Sequence, residues 1–569
     1  MVKIHSLIIL LSGCVALFAS EVLTPLTITS NNTPKTTSDS IDFLSLNEQK
    51  FQQMVIQESS PGLYNPIKEG LQGNQILLDV NGIRMSNALF RSGPNQYFSY
   101  IPRAFVHSIE EDGLSRLMLN NSLGGEINQK LGVSESKMQM RYIGFNDGFE
   151  STMTQKNEVF QGGVSWIETE NYHDTFGEVP HSSYNQKSAY LQSDALAYND
   201  INFLISESKD IPRTDHYTNN EPYDYELQRY ILLSDTVNLR QHNFIFSYQR
   251  YDEDINESKG SKATSDDIFG LIYRYDVSEN ISFSASDYYE MIAYNKSDFT
   301  YNTFDSQLSY ESEYKNINFI GAYTFSYASI GGDLENDFTN HGLLLRVSYK
   351  DIYFSLVQGH RSPSIVNLAK SIITEKGIDI ANPNLKNETS TTYTLGYSNS
   401  IFYMKAYYRF LDNLITRKLL IERIDGKDAY QTINAKNAEM YGAIAGVNYD
   451  YNDLYTSLYF EYTYGKTDTD YISKITPFHS TLMLQYKDTF LQYRYGSKAI
   501  NMSESDKKDI RIVGHNNGYS IVNIGYRFQH QSHELSFILH NVFNQEGRVY
   551  ASAVDFPNRS LEMNYIYRF

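Results

Sequence analysis

The 569-residue chain has one cysteine, Cys14, one tryptophan and no basic tract. Past its N-terminus no apolar run approaches the roughly 18 residues that a membrane-spanning helix needs. A lone cysteine excludes an internal disulfide. A net charge of −19 without clustered Lys or Arg argues against nucleic acid as a partner. Recurring catalytic signatures are missing too: there is no P-loop, no HExxH and no GxSxG. His107, His173, His181, His216, His360 and His540 are scattered without ligand spacing. No enzyme activity, metal site or cofactor is therefore expected. Asp252, Glu253, Asp254, Glu257, Asp266 and Asp267 fall in expected loops, where carboxylates are usually just solvated.

What the chain has is aromatics, 48 Tyr and 31 Phe, in a sequence of mean hydropathy −0.44. They recur at two-residue steps in short segments up to the last one, Ser560 to Phe569. There Leu561, Met563, Tyr565, Tyr567 and Phe569 share one face of an extended strand. Ser560, Glu562, Asn564 and Arg568 share the other, with Ile566 the one apolar intruder. Ile317, Phe319, Tyr323, Phe325 and Tyr327 alternate likewise with Asn318, Thr324 and Ser326, and Leu458, Phe460, Tyr462 and Tyr464 with Ser457, Glu461 and Thr463. A soluble sheet turns its apolar face to a core; a membrane barrel turns it to lipid and the polar face to the lumen. A large secreted β-helix or propeller is the rival. Neither requires aromatics in nearly every strand, and no fixed short repeat supports a solenoid. In lipid only a closed barrel satisfies every backbone group of a sheet.

Residues 1–20 have the pattern of a secretory signal, with Lys3, an apolar core and small residues around Ala19 and Ser20. Leu11-Ser12-Gly13-Cys14 also matches a lipoprotein cleavage box, but apolar Val15 to Phe18 favour ordinary cleavage near Ala19. Residues 21–60 are polar and weakly structured by pattern. Within them Leu23, Thr24, Pro25, Leu26, Thr27 and Ile28 form a short extended segment. It is either a plain tail or a peptide that adds as a strand to a partner's sheet edge. Residues 61–132 suggest a small α/β unit, with a strand, Gln75 to Met85, interrupted by the turn pair Asn81-Gly82. Gly124-Gly125 permits a backbone approach that a Cβ would forbid. From Val133 to Phe569 the pattern is strand, turn, strand.

The order NGIR, RSGPNQY, SIEE and SLGGEIN resembles the plug domain of TonB-dependent outer-membrane receptors. Asp210 to Tyr230, Gly359 to Ser364, Ala381 to Tyr397, Asn434 to Gly442 and His540 to Tyr550 resemble barrel blocks of the same family, in the same order. The family's usual acidic residue before the strand's glycine is Asn81 here, and the stretch before Gly73 is short, so a reduced plug is expected.

The resemblance implies a transmembrane antiparallel barrel of 22 strands in the outer membrane of a Gram-negative cell, with the plug in its lumen. About 437 residues shared among 22 strands leave roughly 20 for each strand and connection, which suits tilted spans of about 9–11 residues. The family reading assigns Leu23 to Ile28 as the box that pairs with TonB, energised through ExbB and ExbD. It makes Gly82, Arg84, Gly124 and Gly125 structural in the plug. It puts Arg91, Asn95, Gln96 and Tyr97 at a plug apex facing the ligand, where a wall contact for Arg91 is an equal alternative. Tyr565, Tyr567 and Phe569 become the signal for the barrel-insertion machinery. The implied function is uptake of a scarce ligand, a ferric siderophore or other metal chelate. The alternative is a non-coupled binding barrel or passive channel. Haem receptors of the family often carry a histidine between the blocks matching Arg361–Ser364 and Asn382–Leu385; none lies there in this chain.

Overall fold

A computed structural model describes residues 55–85, 88–89, 97–111, 122–196, 199–217, 223–257, 260–294, 296–369, 372–374, 377–424 and 427–569. Twenty-two antiparallel strands between Lys137 and Arg568 form one closed barrel. The seam closes where Ser560–Arg568 pairs with Lys137–Ile143, from Glu562 opposite Ile143 to Arg568 opposite Lys137. With the last strand bonded to the first, no edge is left, which is the condition for a sheet in lipid. Among the described residues no helix is long and apolar enough to cross a membrane.

The alternation runs inside out along the wall. On Ile281–Tyr294, Ser282, Ser284, Ser286 and Glu290 are buried while Tyr289 and Met291 are exposed. On the final strand Leu561, Met563, Tyr567 and Phe569 point outward and Ser560, Glu562 and Ile566 inward. Apolar groups on the outside and polar groups within are stable only if lipid is the outer solvent, and this places the chain in the outer membrane.

The two ends of the cylinder differ. One carries the start of Lys137–Ile143, the terminal Phe569 and tight two- to four-residue turns such as 315–316, 350–351 and 487–488. Lys315 and Asn316 both adopt left-handed φ, +50° and +65°, as a hairpin turn matched to strand twist prefers, and Lys350 and Lys487 open their turns at +52° and +51°. Lys315, Lys350 and Lys487 lie 5.0, 5.3 and 5.5 Å from the ring centres of Tyr314, Tyr349 and Tyr486. This is an aromatic and cationic rim at a membrane interface. Longer connections, residues 362–387, 497–518 and 541–559, gather at the opposite end, which by barrel convention faces outside.

The N-terminal domain fills the lumen. Its four-stranded sheet runs Ile83–Arg84, Leu77–Val80, Glu126–Leu131 and Val106–Glu111, with the central pair parallel. A second sheet joins Val55–Ser60, Leu63–Lys68 and Leu71–Gln72. The sequence pattern puts Val55–Ser60 in the weakly structured N-terminal stretch; it is a strand, paired antiparallel with Leu63–Lys68 from Val55 opposite Ile67 to Ser60 opposite Leu63, with a register shift between Glu58 and Ser60. Helix in this domain, among the described residues, is limited to short 3-10 turns. Phe98, Phe105, Ile109, Ile127 and Val80 form a core that continues into wall residues Tyr190, Leu204, Tyr230 and Ile268, so plug and barrel share one apolar cluster.

Candidate transport lumen

The turn between Leu77–Val80 and Ile83–Arg84 is Asn81-Gly82, with φ of +53° and +74°. Two successive left-handed residues define a type I′ turn, for which Asn-Gly is the preferred pair. Asn81 Oδ1 accepts from Leu131 N at 2.8 Å, and Gly82 N donates to Asn128 Oδ1 at 3.2 Å, so the turn is pinned to the next strand. It delivers Arg84 against the wall. Arg84 Nη1 donates to Asp305 Oδ2 at 3.0 Å, Nη2 donates to Thr303, and the guanidinium lies 4.4 Å from the ring centre of Tyr288. The backbone of Arg84 is held as well, donating to Tyr288 Oη at 3.0 Å and accepting from Gln249 Nε2 at 2.9 Å. The side chains of Arg84 and Asp305 are 7% and 2% exposed.

The other sheet presents the opposite charge. Glu69 and Gly70, at φ +49° and +76°, turn the chain between Leu63–Lys68 and Leu71–Gln72. Glu69 takes Arg409 Nη2 at 2.6 Å and Lys405 Nζ at 2.7 Å, and Arg409 Nε reaches Thr392 Oγ1 at 3.0 Å. Gly124 lies against Arg409 and Leu71 so closely that a Cβ would collide with both. Gly125 has φ +108°, a backbone that side chains disfavour. Plug cation to wall anion and plug anion to wall cation fasten the plug at two places on the cylinder. Neither Glu69, Asp305 nor Arg409 stands out in the sequence, because 221 and 340 residues separate the partners.

Toward the outer end, the connection between Arg361 and Glu388 sets one short helix on the plug, while its segment Gly377–Ile380 pairs with the wall strand Lys427–Tyr451. The roots of the connection are joined by a buried ion pair, Arg361 with Glu388, whose other oxygen accepts from Ile415 N at 2.5 Å. The short helix Ile365–Ala369 sits on the plug, Ile365 N donating to Ala88 O at 2.8 Å. Ala88, Ile365, Leu368 and Leu385 pack with wall residues Ile292, Phe299, Tyr301 and Phe338. The blocks Gly359–Ser364 and Ala381–Tyr397 thus bracket a connection that packs on the plug through its short helix. A small open cavity, with room for little more than one water molecule, lies among residues 476–478, 496–497, 515–516, 518–519, Arg548 and Tyr550.

Arg91, Asn95 and Gln96 lie outside the described residues, and of Tyr97 only the backbone, which opens the turn Tyr97–Tyr100, is described. Leu23 to Ile28 and residues 1–20 lie outside them as well. Of the histidines, His181 stacks on Tyr217 at 3.7 Å, His540 meets Glu562 at 3.0 Å, and His360 is buried in the wall. Among the described residues no three His, Cys, Asp or Glu side chains converge as a metal site.

No family model matches the sequence, and no curated protein matches it. The fold does match solved structures. The FrpB iron transporter from Neisseria meningitidis superposes at a TM-score of 0.70 and 13% identity, over 92% of this chain and 96% of that one. The copper transporter OprC gives 0.73 and 13%, over 91% and 94%. The siderophore receptor PirA from Acinetobacter baumannii gives 0.68 and 10%, over 92% and 96%. At such identities the likeness is one of architecture, and it agrees with what the sequence blocks resemble: this chain has the fold of the TonB-dependent outer-membrane receptors.

Proposed function

We propose that the chain is a receptor for active uptake of a scarce ligand across the outer membrane, of the metal-chelate class and a ferric siderophore first among them. The observation that carries the reading is the fastened plug. Arg84–Asp305 and Glu69–Arg409 hold a folded domain across a lumen that would otherwise conduct, so passage needs work. The outer membrane supplies no nucleotide, and the work is assigned to TonB, energised through ExbB and ExbD, pulling on Leu23 to Ile28. The ligand is assigned to the outer face of the plug, where Arg91, Asn95, Gln96 and Tyr97 follow the roofed residues Ala88 and Leu89. Arginine, amides and a phenol offer charge, hydrogen bonds and a stacking face suited to a polar chelate. Proteins of the same architecture described as an iron transporter, a copper transporter and a siderophore receptor lend the ligand class its support.

The test is deletion of Glu21 to Ser30 in cells grown and assayed against ferric chelates, cobalamin, haem and copper ions. Loss of accumulation with surface binding retained supports coupling. Unchanged accumulation overturns it and leaves a non-coupled binding barrel or passive channel.

A further inference from the structure

The first plug strand, Val55–Ser60, does not stop at its own sheet. Gln57 Nε2 donates to Tyr550 O at 2.9 Å, Glu58 N to Ser552 Oγ at 3.1 Å, and Ala553 N to Glu58 O at 2.7 Å. Val55 and Ile67 pack on Val549 beside Tyr519 and Phe556. At its far end Ser60 Oγ donates to Pro212 O at 2.8 Å. A plug strand is thereby bonded to the outer loop of residues 541–559.

That loop is braced internally and to its neighbours. Arg548 forms a two-pronged pair with Asp555, at 2.7 and 2.6 Å, and its Nη1 reaches the carbonyls of Ser552 and Ala553 at 3.4 Å, the residues that hold Glu58. Tyr550 Oη donates to Asp506 Oδ2 at 3.1 Å. Asp506 is 1% exposed and also accepts from Lys474 N at 2.9 Å and from Ser473 Oγ. One carboxylate from residues 497–518 therefore ties residues 468–478 and 541–559 into a single cap. Groups joined by buried charge-assisted bonds move together or break at a cost.

We infer that Val55–Ser60 is a latch: it couples the position of the plug to a three-loop cap at the outer mouth, so that displacing the plug strand from within frees the cap without. Mechanical reciprocity follows, since a ligand that shifts the cap biases the plug by the same coupling free energy. The inference rests on the uptake reading only for what moves the strand.

Hydrogen exchange on the purified full chain in nanodiscs tests the coupling with no ligand. Gln57→Ala with Ser552→Ala removes two side-chain bonds, which predicts roughly tenfold faster exchange in residues 468–478, 497–518 and 541–559 together, with Leu77–Val80 unchanged. Asp506→Asn alone should speed exchange in 468–478 and 497–518, and the Gln57 and Ser552 substitutions added to it should then bring a further gain in 541–559 only. Exchange confined to 549–556 in the first variant, or no gain, overturns the latch. In cells, Asn516→Cys at the cavity rim is labelled from outside with an impermeant maleimide. Labelling should fall when the proton gradient is dissipated and when Glu21 to Ser30 is deleted. The expected exchange result with labelling that ignores the gradient overturns the energised-uptake reading and leaves the latch standing.

Discussion

Replacing Arg84 by alanine should loosen the plug without loosening the barrel. The guanidinium faces Asp305 at 3.0 Å with both side chains nearly dry. Removing one partner of such a pair strands the other charge in a poorly solvated site and typically costs about 3–5 kcal/mol. Because the wall is closed by its own strand pairing, the cost falls on the docking of the plug. At about 1.36 kcal/mol per factor of ten, the undocked population rises roughly a hundred- to several-thousand-fold. Native-state hydrogen exchange of Leu77–Val80 and Glu126–Leu131 reads that population, with strands such as Ile281–Tyr294 as the internal reference. Arg84→Ala with Asp305→Ala should recover most of the loss, since no buried charge is then left unpaired. Arg423→Ala, from a pair with side chains 70% and 33% exposed, should do almost nothing. The reasoning fails if Arg84→Ala is no worse than Arg423→Ala, or if the double variant exchanges as fast as the single one.

Gly124→Val drives a branched side chain into Leu71 and the Arg409 guanidinium and should destabilise plug docking by about 1–3 kcal/mol, seen as faster exchange of Glu126–Leu131. Val164, 57% exposed in the middle of Phe160–Thr169, meets lipid, so Val164→Arg should cost about 2–4 kcal/mol in urea unfolding from vesicles, against about 0–1 for Tyr314→Arg at the rim. His515 in the outer cap is held below its ordinary 6.5 by burial and then by Arg548. Its neutral form is the one the fold favours, so cap stability is present above that value and declines as pH falls through it. Exchange of residues 497–518, corrected for intrinsic rate, should quicken toward pH 5, and His515→Asn should abolish the dependence.

The barrel was legible because its signal is local. Period two along Ser560–Phe569 needs only neighbours in sequence, and the outward Leu561, Met563, Tyr567 and Phe569 follow from it directly. Even Ile566, the apparent intruder, sits inward and buried. The turn at Asn81-Gly82 was readable for the same reason, since two left-handed residues demand that pair. Val55–Ser60 was not. Its segment, VIQESS, is mostly polar, and apolar periodicity finds strands only where the surroundings are apolar. Here the surroundings are polar: Gln57 is buried against the outer loop, donating to Tyr550 O, Ser60 against the wall, donating to Pro212 O, and Ser59 donates to Leu63 O of its own hairpin. The ion pairs that fasten the plug escaped notice because no pattern along the chain links residue 84 to 305 or 69 to 409. The Tyr-Lys steps at Tyr314-Lys315, Tyr349-Lys350 and Tyr486-Lys487 could have been found: each marks a strand end at the inner rim.

The central claim is that a folded stopper seals a closed cylinder, and planar-bilayer conductance addresses it most directly. The full-length chain should stay near the baseline, whereas a chain lacking Val55 to Leu131 should open discrete, long-lived steps of a wide aqueous pore. Equal conductance from both, or a silent membrane from the shortened chain, would contradict it.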